Sequence, residues 1–131
     1  MKTKIHLFII LLFSGTIRLI FLNKIPIGIN NDELHFVMNA KSIFYNFTNL
    51  EGKINPLQLS EISSLIFSPI IGPLSNNLFT ARLPYAIVGI LSCLLIYLIT
   101  LKFTKNNQLA LISGLIMSLN PWSIYVSRTS F

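Results

Sequence analysis

Three long apolar runs dominate the chain, and one long mixed stretch separates the first from the second. The first run covers 5–22 and follows Lys2 and Lys4. Its length is near the lower limit for a helix that crosses a bilayer. A cleaved leader would need a small-residue site after the apolar core at 7–13. No such site is present, and the apolar run resumes at Ile17 beyond Arg18, so the pattern predicts a retained helix. Arg18 is expected to snorkel from the outer end of that helix to the interface. The second run, 83–101, has no charge and is closed by Lys102 and Lys105. Pro84 is expected in its first turn, where a missing N–H is harmless. The third run covers 109–126. Asn120-Pro121 predicts a kink in it, and Trp122 and Tyr125 suit an interfacial aromatic belt.

The stretch 23–82 holds a fourth apolar segment, 62–79, interrupted by Pro69, Gly72 and Pro73. If it were a span, Lys102 and Lys105 would lie on the opposite side from Lys2 and Lys4. The positive-inside rule disfavours that arrangement. The segment is therefore expected to be interfacial or re-entrant, and 23–82 to be one long non-cytoplasmic loop. Within it, Phe36, Val37, Ala40, Ile43, Phe44 and Phe47 recur at helical spacing. His35, Asn39, Ser42 and Asn46 form the opposite stripe. This pattern predicts an amphipathic helix on the membrane surface, with Asp32 as its N-cap and Glu33 in its first turn.

Composition supports the bilayer as solvent. Hydrophobic residues make up 53% of the 131 and charged residues only 11%, against roughly 25% charged in a soluble domain. The expected class is an all-α, multi-pass integral membrane protein with three spans, in a plasma or inner membrane or, in a eukaryote, the endoplasmic reticulum. The net charge of +6 is dispersed without interleaved aromatics, so nucleic-acid binding has no support. Cys93 is the only cysteine and lies in an apolar run.

All four acids, Asp32, Glu33, Glu51 and Glu61, fall in the long loop. A carboxylate at a membrane surface can act as a general base if it reaches the hydroxyl it activates. By itself, Asp32-Glu33 reads more simply as a helix cap and a dipole partner. Asp32, Glu33 and His35 are potential ligands for a divalent cation, though the sequence requires no cofactor. Asn46-Phe47-Thr48 matches a glycosylation sequon. Gly89 with Ser92-Cys93, and Ser113-Gly114, are small residues that permit close helix approach.

Four places together resemble the start of the GT-C glycosyltransferases, nearest the protein O-mannosyltransferase and aminoarabinose transferase group. A spanning helix with Arg18 near its end leads into Ile27-Gly28-Ile29-Asn30-Asn31-Asp32-Glu33. Asn39-Ala40-Lys41-Ser42-Ile43 follows, then Phe79-Thr80-Ala81-Arg82-Leu83-Pro84 before the second span. Asn120-Pro121-Trp122-Ser123-Ile124-Tyr125-Val126-Ser127-Arg128 resembles the ending of the family's third span. Where relatives often have tyrosine after the acidic pair, His35 and Phe36 stand here, and Asn55-Pro56-Leu57 is the nearest match to their paired prolines. The family has many more spans, so the resemblance implies an N-terminal portion of a larger enzyme.

The resemblance also implies a reaction. A sugar passes from a polyprenyl-phosphate donor to an acceptor hydroxyl on a protein, lipid or glycan, with inversion. Asp32 would be the base and Glu33 its support. Arg82 or Arg128 would meet the phosphate, with Lys41 and Lys53 as weaker candidates. A small three-span subunit that packs in a larger membrane assembly is the non-enzymatic alternative. A transporter would place charges inside its spans, and only Arg18 does so here.

Overall fold

The computed structural model describes residues 2–28, 31–48, 59–75 and 77–129. Glu51, Lys53 and Asn55-Pro56-Leu57 lie outside the described residues. The described residues are all-helical in six elements. These are α1 (Lys2–Leu19), α2 (Asn31–Asn46), α3 (Leu59–Ile71), α4 (Leu78–Thr104), α5 (Asn107–Leu119) and α6 (Pro121–Ser127).

Among them α4 alone is a single helix long and apolar enough to cross a membrane, and most of its apolar surface faces outward. Helices α5 and α6 qualify only as a pair, bent by 61° at Asn120. The bend falls at the expected Asn-Pro step. Pro121 starts α6, where its missing N–H costs nothing, and the Asn120 side chain accepts from Ser123 N at 3.1 Å. Helix α1 carries Lys2, Lys4 and Arg18 within its 18 residues.

Helix α4 begins upstream of the expected 83, so Pro84 lies inside it. The Asn77 side chain caps the earlier start, accepting from Thr80 N at 2.8 Å. Arg82 does not end the helix because its charge is compensated inside the protein, as described below. At the other end Lys105 adopts the left-handed conformation, with φ 54°, and donates its N–H to Leu101 O. Asn106 then caps α5. These two residues make the tight turn that sets α4 and α5 side by side, and Ser113 Oγ donates to Thr100 Oγ1 across them at 2.9 Å.

Helices α1, α4 and α5 enclose a core of Ile10, Cys93, Tyr97 and Ala110. Gly114 admits Ile10 Cδ1, which would lie 2.8 Å from an added Cβ. A second core joins α2, α3 and α4 through Phe36, Val37, Ala40, Ile71 and Ala81. The Phe36 ring packs edge-on against Phe67 and Tyr85, with centroids 6.3 and 5.2 Å away. Much of the apolar stripe of α2 is therefore covered by protein. Phe44 and Phe47, expected on the same stripe, are exposed.

The segment expected to be interfacial or re-entrant forms α3, which ends at Ile71 and leads through a short turn to α4. Pro69 removes one N–H donor from α3. Ser68 Oγ donates to the Leu65 carbonyl so freed, at 2.9 Å. The turn is tied to α2 by Tyr45 Oη, which donates to Gly72 O at 3.2 Å, and by Lys41 Nζ, which donates to Leu74 O at 2.6 Å. Phe44 packs where any side chain on Gly72 would stand.

Candidate functional site

The acidic pair opens α2, which starts at Asn31, so Asp32 sits in the first turn with Glu33 rather than at the cap. Successive helix positions are about 100° apart, and the two carboxylates take opposite fates. Glu33 is buried, and Asp32 is exposed with no hydrogen bond or ion pair among the described residues.

Glu33 meets Arg82 in a bidentate pair. Arg82 Nε donates to Glu33 Oε1 at 2.9 Å and Nη2 to Oε2 at 3.0 Å. The remaining guanidinium hydrogens go to backbone. Nη1 donates to Leu22 O at 3.2 Å and Pro26 O at 3.0 Å, and Nη2 to Gly28 O at 2.8 Å. An arginine has five N–H donors, and all five of these are spent. The charge is 1% exposed and fully compensated. Gly28, with φ of 88°, supplies the left-handed turn that presents its carbonyl there.

Arg128 holds the same segment from the other side. Its Nη1 donates to Ile17 O at 2.6 Å, Nη2 to Ile20 O at 2.8 Å, and both Nη2 and Nε reach Ile25 O, at 3.1 and 3.3 Å. The last carbonyls of a helix lack partners within it and carry partial negative charge. Arg128 therefore caps the C-terminus of α1. Burial, and then the like charge of Arg82, push its guanidinium below the ordinary arginine value. One Nη1 hydrogen makes no bond among the described residues. Between them, Arg82 and Arg128 fix the path of the chain from α1 toward Asp32.

Lys41 is not part of this cluster. It lies nine residues after Asp32, about 13 Å along the helix and on its opposite side. There it borders an apolar cleft of ≈ 510 Å³ with Leu34, Val37, Met38 and Leu78. His35 is exposed beside Asp32 and is hydrogen-bonded to buried Asn39 at 3.3 Å. Among the described residues no three His, Cys, Asp or Glu side chains converge as a metal site, because Glu33 turns inward to Arg82.

Arg18 departs most from expectation. It does not snorkel and is completely buried. Its Nη2 donates to Ser123 Oγ at 2.9 Å and reaches Met117 O at 3.5 Å, and Nη1 reaches Ser118 O at 3.4 Å. These acceptors exist because α5 breaks at Asn120, which frees its last carbonyls. Gly89 makes room, since an added Cβ would stand 2.8 Å from Arg18 Nε and collide with Ser127 Cβ. The available signal was a lone charge in an apolar run. No protein-family model, curated protein or solved structure matches the chain.

Proposed function

We propose that this chain is the N-terminal part of a GT-C-type glycosyltransferase that uses a polyprenyl-phosphate sugar, with Asp32 as general base. The observation that carries the reading is the division of labour in the acidic pair. Glu33 is locked to Arg82, and Asp32 is left exposed at the end of the molecule where Arg82 and Arg128 hold the chain. A base must be ionised and within reach of its substrate, and an exposed carboxylate in the positive first turn of a helix meets both needs.

In this reading α1, α4 and the bent α5–α6 pair are three spans, and α2 and α3 lie on the non-cytoplasmic side. Charge distribution supports the topology. Lys4 lies near the end of α1 where Thr3 bonds to Asn107, beside Lys102 and Lys105, while Asp32 and Glu61 are on α2 and α3. The Asp32 carboxylate takes the proton of the acceptor hydroxyl. The oxygen attacks the anomeric carbon from the face opposite the phosphate. The carbon–oxygen bond to phosphate breaks, and its electron pair leaves with the polyprenyl phosphate. Arg82 and Glu33 act as scaffold in this scheme, and Arg128 keeps one N–H for a phosphate oxygen.

The test is sugar transfer from a polyprenyl-phosphate donor in membranes of cells expressing the intact gene. Asp32→Asn is expected to lower kcat by about 10²–10⁴-fold, the usual contribution of a general base, at unchanged protein level. Undiminished transfer by this variant sinks the assignment.

A further inference from the structure

Arg18 is fully buried, yet it lacks what usually accompanies a buried charge. Its two carbonyl contacts, at 3.4 and 3.5 Å, are longer than good N–H···O bonds. Its Nε–H is buried with no partner. No carboxylate stands near it among the described residues. Glu33 is held by Arg82, Asp32 is exposed at the start of α2, and Glu61 is on α3. Its one short bond goes to the Ser123 hydroxyl, which accepts from Nη2 at 2.9 Å. The Ser123 O–H itself makes no bond among the described residues.

Ser123 lines an open cleft of ≈ 330 Å³ between α4 and the α5–α6 break. Val88, Trp122 and Val126 give the cleft apolar walls, and Gly89, Ser92 and Ser127 give it a floor of small residues. Small residues let a helix backbone approach closely within a membrane, and a polar group there serves as an interhelical bond. Cations buried in membrane segments pair with acids or with backbone carbonyls, and the two carbonyls that Arg18 reaches are distant. Arg18 has no such acid in the described part of its own chain.

We propose that this cleft receives a further transmembrane helix, from outside these 131 residues, bearing one buried Asp or Glu. That carboxylate accepts the Ser123 O–H and, through this hydroxyl, is paired with Arg18. A phospholipid is the poorer occupant, because its headgroup charge stays in the interfacial water whereas Arg18 is 0% exposed. A helix carries its carboxylate to the required depth.

The experiment places the labelled protein in neutral liposomes with a leucine-rich transmembrane peptide. The peptide carries one Glu a helical turn inside its outer end, or Gln at the same place, and association is read by energy transfer. The Glu peptide is expected to associate about tenfold more tightly than the Gln peptide. In Ser123→Ala, which keeps the backbone N–H that Asn120 caps, this preference should fall to near unity. Arg18→Met should lose it too, where that variant folds. Equal association of the two peptides with the unaltered protein overturns the proposal. So does a Glu preference that survives Ser123→Ala. A preference abolished by excess anionic phospholipid overturns it in favour of a lipid headgroup.

Discussion

Arg82 and Arg18 are equally buried, at 1% and 0% exposure, and their surroundings could hardly differ more. Arg82 has a bidentate carboxylate and three backbone carbonyls, so every donor is used. Arg18 has a hydroxyl, two distant carbonyls and an unpartnered Nε–H. Burial alone does not reveal what an arginine is for. A closed hydrogen-bond inventory marks a structural node, and an incomplete one marks a place where something can still be added. Arg128 stands between the two, since four bonds to α1 and the turn after it hold it in place and one Nη1 hydrogen is left over among the described residues.

The largest expected effect tests the structural node. Arg82→Ala leaves the Glu33 carboxylate buried without its partner, and such changes cost about 3–5 kcal/mol. Unfolding in mixed micelles should show this loss, and the double variant Arg82→Met with Glu33→Leu should recover most of it. A single-variant cost below about 1 kcal/mol would mean that Arg82 is not the node described, because a broken buried pair is far more expensive. The opposing pattern is expected at Arg18, where removing the charge leaves no buried carboxylate behind.

The helices α1, α4 and α5 and the break after α5 were legible in the chain because apolar runs, a charge-free core and an Asn-Pro step are local signals. The helical stripe of α2 was legible for the same reason. What covers that stripe was not, because α3 reads as a weak apolar segment broken by Pro69, and only its packing makes it a partner. The candidate site was half visible. Asp32 and Glu33 are alike in sequence, and their separation depends on Arg82, 49 residues away. The acceptors of Arg82 and Arg128 are mostly backbone carbonyls, which no side-chain pattern announces. Pro84 was misplaced because the apolar run alone does not announce the Asn77 cap that starts α4 at Leu78.

Gly89 lies between the two kinds of arginine in expected effect. It faces Arg18 and Ser127 at the crossing of α1, α4 and α6. The Ser127 contact is a rigid Cβ on a short helix, so Gly89→Ala forces the helices apart. Overpacking of this kind costs about 1–3 kcal/mol, measurable in the same unfolding assay. Because Gly89 also lines the Ser123 cleft, Gly89→Ala should weaken the Glu-peptide preference while leaving the Arg82 node untouched. A variant that unfolds like the unaltered protein would show that the close crossing is not maintained.

The smallest effect separates a cap from a cap that also builds a site. Asn77 and Asn120 each accept from the backbone N–H three residues on, at 2.8 and 3.1 Å. Replacing either with Ala should cost about 1 kcal/mol by loss of the cap. If capping is all that Asn120 does, the two variants match in every measurement. Asn120 also fixes the break that turns Ser123 toward Arg18 and aims the Met117 and Ser118 carbonyls there. Asn120→Ala is therefore expected to reduce the Glu-peptide preference severalfold, and Asn77→Ala to leave it intact. Matching losses in stability with unequal losses in peptide preference would locate the open site at the break. Equal preferences in both variants would leave Pro121 alone as the residue that sets it.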